Sequence, residues 1–138
     1  MDWKICAVDD LRRYRLIKAG LLNSEDRLSA LSAFIKSRRA AKKPQGRRDA
    51  ELADAVLESK LLHRNIAVAQ STVNFIERGL AQLTEPERAV LDMFYICDGK
   101  KSAYTISKEL GYSTRSLYRE RDRALEKFTL AMYGVEQA

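Results

Sequence analysis

Ten positions between Leu52 and Leu83 are separated by alternating steps of three and four residues: Leu52, Ala55, Ser59, Leu62, Ile66, Ala69, Val73, Ile76, Leu80 and Leu83. Only a helix returns side chains to one face at that spacing, and a stripe of this length needs a partner helix to cover it. The middle of the chain is therefore helical and paired. A first helix, from about Cys6 to Ala41, supplies the candidate partner. Its residues Ala7, Tyr14, Leu21, Leu28 and Ile35 recur every seventh position, with Ile17 and Leu31 three after two of them. Gly20, Asn23 and Ser24 weaken that stripe and mark residues 20–24 for a kink or break.

The stretch RRAAKKPQGRR, residues 38–48, ends the first helix. Pro44 removes a backbone donor and Gly46 permits a positive φ, so the chain is expected to reverse here. Six of these eleven residues are Lys or Arg and none is acidic. A solvated connector and a phosphate-contacting loop both fit that composition. The two helices then fold back as an antiparallel hairpin, although a homodimeric coiled coil satisfies the same pattern. His63, beside Leu62, reads as a flanking surface residue.

Composition agrees with a helical chain. Of 138 residues, 46% are hydrophobic and 32% charged, with only two Pro and six Gly. The formal net charge is +6, which suits a polyanionic partner. Residues 1–46 hold 11 Lys+Arg against 5 Asp+Glu, whereas residues 47–83 hold 5 of each and residues 84–138 hold 9 of each. The excess thus lies in the first third, and any polyanion binding by the last third must come from local placement.

Two Cys and one His do not make a structural zinc site, and no cofactor is implied. No apolar run approaches the length of a membrane span, and the polar start MDWKICAVDDLRRYR does not read as a signal peptide. A soluble, cytoplasmic protein with reduced thiols and no membrane partner is expected. An enzyme is not: no Gly-rich phosphate loop or nucleophile with a base is visible. The pair Asp9 and Asp10 reads as acids at the start of a helix, where they favour the dipole.

The last third opens on LTEPERAVLDMFYICDG. Thr84 and Glu87 have capping-box spacing, and Pro86 falls in the first turn, where a missing N–H costs nothing. Val90, Leu91, Phe94 and Tyr95 form the apolar face, and Asp98-Gly99 stops the helix. A second helix fits Ser102 to Leu110, and a third runs from about Thr114 to Tyr133, with Gly134 closing it. Gly111 makes the corner between them and Ser113 caps the last helix. Leu117, Ala124, Leu125 and Phe128 mark its buried side.

That arrangement has the parts of a helix-turn-helix, whose second helix presents its opening turns to the major groove. Ser113, Thr114, Arg115, Ser116, Tyr118, Arg119 and Arg123 become candidate DNA-binding residues, with Lys100 and Lys101 ahead of the first helix of the pair. Arg reads guanine bidentately, and Ser or Thr binds phosphates or base edges. Arg121 stands between Glu120 and Asp122, so part of this charge is expected to pair along the helix.

Residues 83–128 resemble the fourth region of bacterial sigma factors, through LTEPERAVLDMFY, ISKELGYSTRSLYRE and RAL in that order. More of the chain is similar to phage late-gene regulators of the ArpU and RinA type, which end in a segment like ALEKFTLAMYG. The likeness is specific at the C-terminus and one of pattern before residue 80. It implies a transcription regulator of phage or prophage genes that binds double-stranded promoter DNA, in some cases alongside bacterial RNA polymerase. The groove-facing positions it implies are Thr114, Arg115, Ser116 and Arg119. Ser107 stands where this pattern usually has Ala at the helix–helix contact, and Glu120 stands near a site that is often apolar.

The expectation is an all-α chain. Residues 1–82 form a long antiparallel helical hairpin, coiled-coil-like, and residues 83–138 a three-helix, sigma-like helix-turn-helix domain. Two other functions stay open: a DNA-packaging subunit of the small-terminase kind, and a coiled-coil adaptor that binds protein.

Overall fold

A computed structural model describes residues 1–41, 46–97, 99 and 101–136 of the chain. It is all-α: helices α1 (Trp3–Ala40), α2 (Gly46–Leu80), α3 (Glu85–Leu91), α4 (Ala103–Leu110) and α5 (Thr114–Tyr133), with no strand among the described residues. A single π-helical turn, Asp92–Ile96, prolongs α3. No helix among the described residues is long and apolar enough to cross a membrane.

Helix α1 is continuous for 38 residues, so the break expected at residues 20–24 does not occur. Gly20, Asn23 and Ser24 are tolerated because one glycine costs a helix only about 1 kcal/mol, less than the packing on either side supplies. A second expectation is corrected at its start. The helix begins at Trp3 with no acid in its first turn, so Asp9 and Asp10 lie beyond reach of its dipole end. The residue serving that end is Asp2, whose carboxylate accepts from the backbone N–H of Lys4 at 3.0 Å and of Ile5 at 3.3 Å. Of the connector, residues 42–45, including Pro44, lie outside the described residues, and Gly46 is taken up as the first residue of α2.

The chain groups into two compact units. One comprises residues 17–72, the distal stretch of α1 and the proximal stretch of α2. Leu21, Leu31 and Ala55 are its buried apolar residues, flanked by half-buried Ile17, Leu28, Ile35, Leu52, Leu62, Ile66 and Ala69. Arg27 pairs with Glu58 at 3.0 Å and Arg38 with Glu51 at 3.5 Å, so later residues of α1 meet earlier residues of α2. His63 is exposed.

The other unit joins residues 1–16 to residues 73–138, and the expected boundary at 82/83 falls inside it. Its main core draws Ala7, Leu11 and Tyr14 from α1, Ile76 from α2, Leu83, and Leu91 from α3. Ala124, Leu125, Phe128 and Met132 of α5 complete it. A second cluster of Val90, Ile106 and Leu117 fixes α3, α4 and α5 together. The large apolar side chains among them, Leu11, Ile76, Val90, Leu91, Ile106, Leu117 and Phe128, are almost wholly buried, each contributing about 1.5–3 kcal/mol of transfer free energy. Buried polar groups are satisfied locally: the Thr129 hydroxyl donates to the carbonyl of Leu125 at 2.7 Å, and that of Ser107 to the carbonyl of Tyr104 at 2.7 Å. The serine at the helix–helix contact therefore leaves no orphaned hydroxyl.

Candidate nucleic-acid interface

The candidate surface is built by three short-range devices in sequence. The first is the cap of α3. The Thr84 hydroxyl accepts from the N–H of Glu87 at 3.4 Å, and the Glu87 carboxylate accepts in return from the N–H of Thr84 at 2.8 Å. Lys127 on α5 reaches the same carboxylate at 3.0 Å. The backbone N–H of Thr84 above all, then Lys127, holds the Glu87 carboxyl below its ordinary range, against a smaller opposing effect of burial.

The second device is the corner between α4 and α5. Ser102 caps α4 by accepting from the N–H of Thr105 at 3.2 Å. Gly111 then takes φ 77°, a left-handed conformation that costs other residues about 1–2 kcal/mol. Extended Ser113 follows as the cap of α5, accepting from the N–H of Ser116 at 3.1 Å. Ile106 of α4 and Leu117 of α5 close the angle from inside, with Val90 behind them.

The third is the rotation of α5. Leu117, Ala124, Leu125, Phe128 and Met132 bury one side, which turns Thr114, Arg115, Tyr118 and Arg119 outward over its first two turns. Arg115 and Arg119, one turn apart, form no hydrogen bond or ion pair among the described residues. Their guanidinium donors are unengaged among the described residues, next to the positive end of a 20-residue helix. Two adjacent Arg forks beside a helix N-terminus can take phosphate or a guanine edge.

The other candidates are placed differently. Ser113 and Ser116 bond to each other at 2.9 Å, and Ser116 is half-buried, so both act first as the cap. Arg123 is exposed but pairs with Glu120 at 3.3 Å, which also explains how Glu120 is accommodated at a site that is often apolar. Lys101 reaches both carboxylate oxygens of Glu109 at 3.0 Å. Lys100 lies outside the described residues.

One arrangement of these residues was not foreseen from the sequence. Arg121 lies over the ring of Tyr118, 4.9 Å from its centroid, and over that of Phe94 at 5.3 Å. The two rings are 6.3 Å apart, and Tyr95 stands 6.0 Å from Phe94 with Arg12 over it at 5.7 Å. The π-helical turn sets the angular positions of Phe94 and Tyr95, and α-helical periodicity does not foresee that turn. Burial raises the Tyr95 phenol above its ordinary range, with Arg121 and Arg12 opposing the shift.

No protein-family model, no curated protein and no solved structure matches the chain.

Proposed function

We propose that the chain is a sequence-specific, double-stranded-DNA-binding transcription regulator of phage or prophage genes. In this reading α3, α4 and α5 are a sigma-like helix-turn-helix domain with α5 as the recognition helix, and α1 and α2 are the arms of an antiparallel helical hairpin. The observation that carries it is the pair Arg115 and Arg119. They are exposed and have no acidic partner among the described residues, behind a left-handed Gly111 corner and a Ser113 cap. Neighbouring cations are spent on carboxylates, as at Lys101, Arg123 and Lys127, so the two open forks stand out on this helix. Thr114 and Tyr118 add a hydroxyl and an aromatic edge to the same face. The resemblance to sigma region 4 and to late-gene regulators of the ArpU and RinA type points the same way. Bacterial RNA polymerase is a further partner that this likeness suggests.

The test is fluorescence anisotropy on duplexes selected from a random pool, repeated across a salt series. Arg115→Ala with Arg119→Ala should abolish preference for the selected duplex while far-UV circular dichroism stays helical. Each arginine that reads a base should account for about 1–3 kcal/mol of that preference. Unchanged affinity in the double variant would remove the proposed reading surface.

A second reading, a helical adaptor that binds protein, is favoured by one observation. Leu57, Leu61 and Val68 on α2 are 57%, 49% and 67% exposed. Under this reading wild-type protein binds no duplex even at low salt, where phosphate attraction is greatest.

A further inference from the structure

Arg121 is surrounded differently from the two arginines beside it. Its guanidinium lies over Phe94 and over Tyr118, and its Nε and Nη2 both donate to the carboxylate of Asp122, at 3.1 and 2.9 Å. Its side chain is only 28% exposed, whereas Arg123 beyond it is 64% exposed. A planar guanidinium can lie over two rings and still direct its edge at a carboxylate; an ammonium is a point charge that cannot do both. Satisfied in this way, Arg121 has little left to offer a phosphate.

What it holds belongs to the reading face. Tyr118 is 40% exposed and lies between Arg115 and Arg119 in sequence, and Asp122 is the exposed residue one turn after Tyr118. A bare carboxylate there would repel phosphates and attract the free Arg119 fork. A loose Tyr118 ring would lose rotamer entropy on every binding event.

We infer that Arg121 is a positioning residue for DNA reading. Clamped against Phe94 of the π-helical turn, it fixes the ring of Tyr118 and neutralises Asp122, so that Arg115 and Arg119 face the groove unopposed. The inference rests on the DNA-binding reading of α5 and assigns sequence discrimination to a residue that need not touch DNA. It also gives the π-helical turn a purpose, since that turn carries the ring on which Arg121 rests.

The experiment compares wild type, Arg121→Lys and Phe94→Leu on a selected duplex and on random duplex, across a salt series. Thermal denaturation checks each variant for folding. Arg121→Lys keeps the charge and removes the planar clamp, so the ratio of selected to random affinity should fall roughly tenfold. The salt slope should stay at the wild-type value, because the number of phosphates engaged is the same. Phe94→Leu should reproduce the loss with Arg121 intact, and in a Tyr118→Ala background Arg121→Lys should add nothing. Three results would overturn the inference. One is an unchanged ratio in both variants. Another is a salt slope reduced by about one with the ratio kept, which makes Arg121 a phosphate ligand. The third is an equal further loss in the Tyr118→Ala background, which makes its role generally structural. Failure of the wild type to bind any duplex, or undiminished binding by the Arg115 and Arg119 double variant, sinks the DNA reading itself and is read from separate samples.

Discussion

The hydroxyl of Tyr133, in the last turn of α5, donates to the carboxylate of Asp10 on α1. The ring of Tyr133 lies 4.9 Å from that of Trp3 and meets Phe75 edge-on at 6.0 Å, so both ends of this tyrosine are engaged. Tyr14 does the same between α1 and α2, donating to Glu77 at 2.6 Å. Burial first, and the carboxylate acceptor second, push both phenols above the ordinary tyrosine range. A phenol whose folded pKa is raised lends stability that is complete below its unfolded value of about 10 and is lost as pH rises beyond it. Urea midpoints should therefore be level through neutral pH and fall above roughly pH 10. Tyr133→Phe should cost about 1 kcal/mol at neutral pH and make the alkaline fall shallower. An alkaline limb as steep as that of the wild type would show that this hydrogen bond does not control it.

How much of this was readable in advance differs by element. All ten positions of the Leu52–Leu83 stripe, Ser59 included, are buried or half-buried, because side-chain spacing on a long helix follows directly from its period. The caps at Thr84 and Ser113 and the left-handed Gly111 were equally legible, since each depends on residues within four positions. The pairings of Tyr133 with Asp10 and of Tyr14 with Glu77 were not. They join residues far apart in sequence, and no local pattern distinguishes a tyrosine with a distant carboxylate from one without. At the candidate surface the outward face of α5 was readable from its apolar stripe. The division of the cations around it was not: Lys101, ahead of α4, and Arg123 are spent on Glu109 and Glu120, whereas Arg115 and Arg119 are open among the described residues.

Two helical glycines should respond in opposite directions to the same substitution. A Cβ on Gly20 meets nothing within 4 Å, so Gly20→Ala gains helix propensity alone and should stabilise by about 0.5–1 kcal/mol. A Cβ on Gly79 would stand 2.7 Å from Met132 Sδ and 2.9 Å from Phe128 Cε1. Met132 can move its thioether, but Phe128 is fully buried and has no free volume to enter. Overpacking of this kind costs about 1–3 kcal/mol, more than the propensity gain. Thermal melts should rank Gly20→Ala above wild type and Gly79→Ala below it. A stabilised Gly79→Ala would mean that α2 and α5 are packed less closely here than the distances require.

The capping box of α3 makes an acid-side prediction. A carboxyl whose folded pKa is depressed lends stability that is present above the ordinary glutamate value and is lost as pH falls through the folded one. The stability difference between wild type and Glu87→Gln should be full at neutral pH and shrink below about pH 4. Thr84→Ala should cost about 1 kcal/mol at neutral pH through removal of the hydroxyl acceptor. Denaturant titrations at neutral and acid pH measure both, and a difference that ignores pH would place the charge of Glu87 outside the cap.

Gly111 and Gly134 share a backbone conformation, with φ of 77° and 69°, and neither has a neighbour within 4 Å of an added Cβ. Alanine at either site therefore meets backbone strain without a clash, at about 1–2 kcal/mol. The consequences for binding should nevertheless diverge. Gly134 ends α5 after its last packed residue, so strain there can relax into the segment beyond. Gly111 sits between Leu110 and Tyr112, both packed against the Val90, Ile106 and Leu117 cluster, and strain there must be relieved by turning α4 against α5. A rotation of a few degrees displaces Arg115 and Arg119 together. Gly111→Ala should accordingly weaken binding to a selected duplex by more than its loss of stability explains, while Gly134→Ala binds as wild type does. Equal binding by the two variants would show that the corner sets stability alone.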